Sequence, residues 1–288
     1  MSDLRVVLAP VSGLGGDAAV LEAAQVLAQM MPVHIEVLHA RPDAREAVPF
    51  MGEGASGALV EQVMAVAQRD IGTRAARAKS AFDVWLKSSG IALDATPGVK
   101  GATVAWREET GPEDEWVARR GRLADVIIAA KPGAEDAVSA SITFEAALLD
   151  TKRPVLLAPP GAAARLVGTP ALLAWNGSSE AARAIAAAIP LLAKSSKVVI
   201  FAAAEKDPAA DSSHLKDYLA WHGITAEGPV AGRDDATTGA KLLETAGQIG
   251  AGLLVLGAYT RSRMRQLIYG SVTRHVLNNG TLCTFMAH

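Results

Sequence analysis

Arg5-Val6-Val7-Leu8-Ala9-Pro10, followed by Ser12-Gly13 and a helical stretch to Met30, is the segment on which the reading of the fold turns. An apolar run of strand length, a short turn and an alanine-rich helix make one strand-to-helix unit. The unit returns 165 residues later as Pro170-Ala171-Leu172-Leu173-Ala174-Trp175, where Asn176-Gly177-Ser178 opens a second helix ending near Leu192. Working outward, the next strands, 33–40 and 198–204, also match. A helix follows in each half. In the first, Val60, Val63, Met64, Ala67, Ile71, Ala75, Ala78, Phe82 and Trp85 recur at three- and four-residue spacings; in the second it is shorter, 212–222.

Third strands at 99–107 and 224–231 lead into helices at 113–122 and 237–249. The fourth strands, Val126-Ile127-Ile128-Ala129-Ala130 and Leu253-Leu254-Val255-Leu256, are unbroken apolar runs, as expected of parallel strands covered by helices on both faces. A last helix and a fifth strand, 154–158 and 282–287, close each half. A unit written twice in this order predicts an α/β fold of two tandem five-stranded parallel-sheet domains, Rossmann-like, with helices on both faces. The expected domains are 1–160 and 166–288, joined at the breaker-rich Pro159-Pro160-Gly161-Ala162-Ala163-Ala164.

Composition narrows the function classes. The 288 residues carry a net charge of -2 and are 50% hydrophobic, which is ample for packed cores and too balanced for a general nucleic-acid or polybasic membrane binder. One cysteine, Cys283, rules out an internal disulfide and a cysteine zinc cluster. No basic region precedes an apolar stretch at Met1-Ser2-Asp3-Leu4-Arg5, so no secretory signal is expected. The alanine-rich run 184–193 contains Pro190 and is far short of the roughly 20 residues that cross a bilayer. A cytoplasmic protein is the expectation.

Open parallel sheets bind ligands beyond the carboxyl ends of their strands, where the strand order reverses. In the second half the segments there are Asn176-Gly177-Ser178, the stretch around Ala203, Gly232-Arg233, and the long loop from Gly257 to the helix at Gly270-Ser271. A glycine at a strand end lets backbone approach a ligand, and a Gly-Ser pair at a helix start offers amides and a hydroxyl to phosphate oxygens. Arg261, Arg263 and Arg265 could add charge-assisted contacts, Arg261 foremost.

At these residues the chain resembles a tandem universal stress protein of the UspA-like, adenine nucleotide alpha hydrolase-like group. The family signature after the fourth strand is Gly-x2-Gly-x9-Gly-Ser/Thr, and Gly257, Thr260, Gly270 and Ser271 stand at its positions, with threonine for the second glycine. Asn176 stands where the family carries an acidic residue after the first strand. The resemblance implies ATP as ligand, with or without magnesium. Adenine would lie near Asn176 and Ala203 and the phosphates over Gly257, Gly270 and Ser271, with Gly232, Thr260 and Arg261 also counted among the nucleotide-binding residues. It also implies pairing through the apolar fifth strands, making a pseudo-dimer within one chain and leaving homodimerisation open. No catalytic residue or metal ligand is assigned, so binding or sensing in a stress response is expected rather than turnover.

The first half lacks the spacing: Ala130-Lys131-Pro132-Gly133 follows its fourth strand, and Val11 stands at the position of Asn176. It is expected not to bind ATP. Ser12-Gly13-Leu14-Gly15-Gly16-Asp17 resembles the Ser-Gly-Gly-x-Asp-Ser loop of ATP pyrophosphatases, but with an extra residue and Ala18 for the serine, so a glycine-rich turn is the preferred reading. Two rivals stand beside nucleotide binding: a nucleotide-free interaction protein of the same fold, and a slow ATP-using enzyme. The six histidines show no metal-like spacing, Cys283 reads as an inert buried thiol, and Tyr259 and Trp175 serve equally as pocket lining or packing.

Overall fold

The computed structural model describes residues 4–47, 57–132, 137–203, 211–232, 238–258 and 271–288. The first half runs β1 (Val6–Pro10), α1 (Asp17–Met30), β2 (His34–Arg41), α2 (Gly57–Ser89), β3 (Ala92–Leu93), β4 (Thr103–Thr110), α3 (Glu113–Gly121), β5 (Val126–Ala130), α4 (Ala137–Glu145) and β6 (Val155–Ala158). The second runs β7 (Pro170–Trp175), α5 (Ser179–Leu192), β8 (Lys197–Ala203), α6 (Ser213–Trp221), β9 (Ala226–Gly232), α7 (Thr238–Gln248), β10 (Leu253–Gly257), α8 (Ser271–Asn279) and β11 (Cys283–Ala287).

The strands form one sheet in the order β3-β4-β2-β1-β5-β6-β11-β10-β7-β8-β9. Among the described residues every pairing is parallel except the central one, where β6 and β11 run antiparallel with Val155 opposite Met286, Leu156 opposite Phe285 and Leu157 opposite Thr284. The two apolar fifth strands thus pair edge to edge and turn two parallel sheets into one of eleven strands. The first half has a sixth strand: β3 lies on the outer edge, Ala92 and Leu93 beside Thr103 and Val104. Its third main strand begins at Thr103 rather than 99, because Gly98 and Gly101 hold the intervening chain in turns at φ +87 and +92.

Side chains alternate across this sheet with the two-residue period of a strand. Val7, Ala9, Ile128, Leu156, Phe285, Val255 and Leu173 face the layer of α1, α2, α5 and α6. Leu8, Ile127, Val155, Leu157, Met286, Leu254 and Leu172 face the layer of α3, α4, α7 and α8. Each layer crosses the junction without interruption, so the halves share two cores rather than owning one each.

The segment expected as a linker is folded and packed. Residues Ala163–Leu166 form a 3-10 turn, with Ala162, Ala163 and Leu166 buried in the same layer as α1. Arg165 Nη2 donates to the Gly250 carbonyl at 2.9 Å, and the backbone of Gly252 passes directly beneath the Arg165 carbonyl. A β-carbon on Gly252 would sit 1.8 Å from that oxygen. Gly252→Ala is therefore expected to destabilise the chain by about 1–3 kcal/mol, the usual cost of overpacking against backbone. Urea unfolding followed by circular dichroism measures it.

Candidate functional site

In the second half the strand order reverses between β7 and β10, so their carboxyl ends mark the place where such a sheet receives a ligand. Asn176 follows β7 and is exposed. Its Oδ1 accepts from the Ser178 amide at 3.2 Å, over Gly177 at φ +74. Ser178 then caps α5, its Oγ accepting from the Ala181 amide at 3.2 Å. Ala203 and Gly232 are register partners at the ends of β8 and β9, and Gly257 ends β10 opposite Ala287. The fold therefore gathers Asn176, Ala203, Gly232 and Gly257 at one edge of the sheet. Ser271 is the first residue of α8. Thr260, Arg261 and Gly270, with Tyr259, Arg263 and Arg265, lie outside the described residues.

Gly257 has a packing reason of its own. A β-carbon there would lie 2.4 Å from the backbone nitrogen of Ala181, because the first turn of α5 rests on the end of β10. The first half has a close approach of its own at the end of β5: Ala130 ends the strand, and Gly16 precedes α1, where an added β-carbon would meet Ala130 Cβ at 2.6 Å. Only one side of this contact can carry a β-carbon. Gly16→Ala is expected to cost about 1–3 kcal/mol by overpacking, and Ala130→Gly in the same chain to recover much of it. A double-mutant cycle in urea reads the coupling.

Sequence reading missed several neighbours of the second-half edge. His288 Nδ1 lies 3.2 Å from the Ala258 carbonyl, and Arg183 on α5 donates through Nε to the His288 carbonyl at 3.1 Å and pairs with Glu180 at 3.3 Å. Burial opposes ionisation of Glu180, but hydrogen bonds from its own amide and Ser179, with the charges of Arg183 and His288, hold its carboxyl below the usual range. No local motif announces these residues, since the fold brings them together from α5 and β11. Trp175 is tied rather than free: its Nε1 donates to the Asp211 carbonyl at 3.3 Å. The Cys283 thiol is buried in β11 and pushed by that burial up to about 12, the behaviour of an inert thiol.

The corresponding edge of the first half is occupied by the chain itself. The Ser12 amide donates to Asp17 Oδ1 at 2.8 Å and the Gly13 amide to Oδ2 at 2.9 Å. Amides that a phosphate loop would turn to its ligand here hold an internal carboxylate, at the positive end of α1. Gly13, at φ +78, lies against the Arg74 backbone, so the 33-residue α2 covers this turn; its counterpart α6 has nine residues. Behind it His39 is buried, with Nδ1 2.8 Å from the Val11 carbonyl and its ring stacked on Trp106 at 6.1 Å. Burial raises the Asp17 carboxyl, against the lowering pull of the Ser12 and Gly13 bonds. Among the described residues no group of three or more histidine, cysteine or acidic side chains could hold a metal ion.

Glu113, in the first turn of α3, is the second strained carboxylate on this side. Burial raises it, a hydrogen bond from Thr143 Oγ1 at 2.9 Å lowers it, and the nearby Asp17 charge raises it further. Because its folded-state value lies above the unfolded one, ionised Glu113 costs stability at neutral pH. That cost fades as pH falls through the folded value and is gone below the ordinary 4.5. Glu113→Gln, which keeps an acceptor for Thr143, is expected to raise the melting temperature at pH 7 and to leave it unchanged near pH 3.5. Melting curves of both proteins at the two pH values check the sign.

No protein-family model and no curated protein matches this chain. Solved structures do. A universal stress protein from Archaeoglobus fulgidus DSM 4304 superposes with a TM-score of 0.65 at 17% identity, over 98% of this chain and 96% of that one. A functionally unknown protein from Pseudomonas aeruginosa PAO1 superposes with a TM-score of 0.57 at 15% identity, over 98% and 92%. A Pseudomonas aeruginosa UCBPP-PA14 protein named provisionally as a universal stress protein gives 0.58 at 14%, over the same shares. No helix among the described residues is long and apolar enough to cross a membrane. Over nearly its whole length, the chain has the fold of the universal stress proteins.

Proposed function

We propose that this chain is a universal stress protein that binds an adenine nucleotide, ATP with or without magnesium, in its second half and acts in stress response by binding or sensing. The observation that carries the reading is the gathering of Asn176, Ala203, Gly232 and Gly257 at the carboxyl edge where the strand order reverses, beside a sequence that keeps Gly257, Gly270 and Ser271 at phosphate-loop spacing. The opposite treatment of the first half supports it, since there the loop amides hold Asp17 and α2 lies over the turn. On this reading residues 166–288 are the nucleotide-binding domain and residues 1–160 a domain with a degenerate site.

The residues present suit the ligand. Asn176 is exposed at the rim and offers a carboxamide towards adenine and ribose, with the backbone of Ala203 and Gly232 alongside. The first amides of α8, beginning at Ser271, present positive partial charge to phosphate oxygens, and Gly270, Thr260 and Arg261 complete the loop by sequence. Bound ATP would supply a polyanion for that helix end to hold. The assignment needs no general base, and the protein's part is to bind and orient.

A second reading, a nucleotide-free interaction protein of the same fold, has one specific observation behind it: Gly257 is already required by α5, so its presence alone does not call for a ligand. Isothermal titration of the nucleotide-stripped chain with ATP and magnesium separates the two. Saturable binding at one site per chain is expected, abolished in Gly270→Arg while the circular dichroism spectrum stays that of the parent. Absence of heat, with no displacement of a fluorescent ATP analogue, would establish the second reading.

A further inference from the structure

Lys131 is the residue that follows β5, at the carboxyl edge of the first half, and its side chain crosses the central junction. Nζ donates to the Asn278 carbonyl at 3.1 Å and to the Gly280 carbonyl at 2.6 Å, the last turn of α8 and the residue after it. A cation on carbonyls at a helix C-terminus is a favourable placement. The crossing follows from the antiparallel pairing. Since β11 runs against β6, the start of β11, and with it the end of α8, lies beside the carboxyl ends of β5 and β6. One helix therefore spans both edges: it begins at the second-half edge with Ser271 and ends at the first-half edge against Lys131.

The contact is one-way. The residue at the same place in the second half is Ala258, whose amide bonds to Ala287 as the Lys131 amide bonds to Ala158, but which has no cation to reach back. The end of α4 is closed locally, by the π turn Ala146–Asp150 and by Thr151 Oγ1 donating to the Ala147 carbonyl, whereas α8 adds Lys131 to its own local bonds, Gly280 amide to Val276 carbonyl at 2.7 Å and Asn279 Nδ2 to His275 carbonyl at 3.0 Å. Helix α8 needs outside support. It has nine residues, among them Val272, Thr273 and Val276 and the pair Asn278-Asn279, none a strong helix former, and helices this short are marginal alone. Its supports include α7, on which it seats where Gly239 leaves no room for a β-carbon beside His275, the core under Val276, and Lys131. Burial lowers the Lys131 amine from its usual value, consistent with a head group drawn out of water.

We propose that Lys131 is a positioning residue for the second-half site, acting through α8: by holding the helix C-terminus it sets the first-turn amides that receive phosphate, and so couples the state of the first half to nucleotide affinity in the second. The inference rests on the nucleotide reading above. Coupling of this kind is reciprocal, so bound nucleotide must equally tighten the Lys131 contact.

The test is titration of the nucleotide-stripped full chain with ATP and with adenosine, in wild type, Lys131→Met, Lys131→Gln and Lys131→Arg, alongside hydrogen exchange of the 271–279 amides. Lys131→Met is expected to weaken ATP binding about 5- to 20-fold, within the usual range of site-to-site coupling. It should leave adenosine affinity unchanged, since adenosine has no phosphate for α8 to hold. Lys131→Arg should restore ATP affinity, and Lys131→Gln should fall between, serving if the methionine variant does not fold. Faster exchange in α8 should accompany the loss and reverse when ATP is present. Equal ATP affinity in wild type and the neutral variants, or equal loss for ATP and adenosine, overturns the coupling and leaves the nucleotide site standing. Absence of ATP binding by wild type overturns the nucleotide reading itself.

Discussion

Three register positions hold the molecule together: Val155 against Met286, Leu156 against Phe285 and Leu157 against Thr284. A parallel five-stranded sheet ending in an apolar strand has an edge that must be covered or paired. Here each half covers the edge of the other, and the antiparallel sense of the pairing inverts one half relative to its neighbour. Leu156 and Phe285 meet in one side layer, Val155 and Met286 in the other, so removing the pairing would open both cores at once. The buried 3-10 turn at Ala163–Leu166 follows from the same constraint, because the chain must pass from the centre of the sheet to β7 without leaving apolar side chains in water.

Inversion also decides where the two candidate edges lie. The carboxyl ends of β5 and β7 face opposite ways along the sheet, and the last helix of one half ends where the other half has its strand ends. The two edges have been put to different uses. In the first, Asp17 sits where an anion would sit, taking the Ser12 and Gly13 amides. Its charge is buried beside Glu113, an arrangement that costs stability at neutral pH yet fixes the turn. In the second, Asn176 serves its own turn through Ser178 and stays exposed.

How much of this could be read from sequence follows from what each element buries. Strands covered on both faces, such as Val126-Ile127-Ile128-Ala129, announce themselves because nothing polar interrupts them. The two-residue β3 could not be read, since Leu93 is exposed on an edge and no periodicity exists in two residues. Pro159-Pro160-Gly161 suggested a loop and is a turn, but the burial of Ala162, Ala163 and Leu166 just after it could not be read from those breakers. At the site, Asn176 and Gly257 were legible by position after a strand, but the reason for Gly257 was not. It depends on how closely α5 approaches β10, a distance no local pattern records. His288, Arg183 and Lys131 were illegible for a related reason: each acts on a backbone carbonyl far away in the chain, and carbonyls leave no trace in a sequence.

The helix-on-strand contact is tight in both halves and differs between them. In the first half the glycine stands on the helix side, Gly16 against the Ala130 β-carbon, and in the second on the strand, Gly257 against the backbone of Glu180 and Ala181. The turn before α1 spans residues 11–16, and its Ser12 and Gly13 amides bond Asp17. The turn before α5, residues 176–178, is shorter and is closed by Asn176 and the Ser178 cap, with the Glu180 carboxylate paired to Arg183. Lys131, next in the chain after Ala130, ties this first-half edge to the C-terminus of α8.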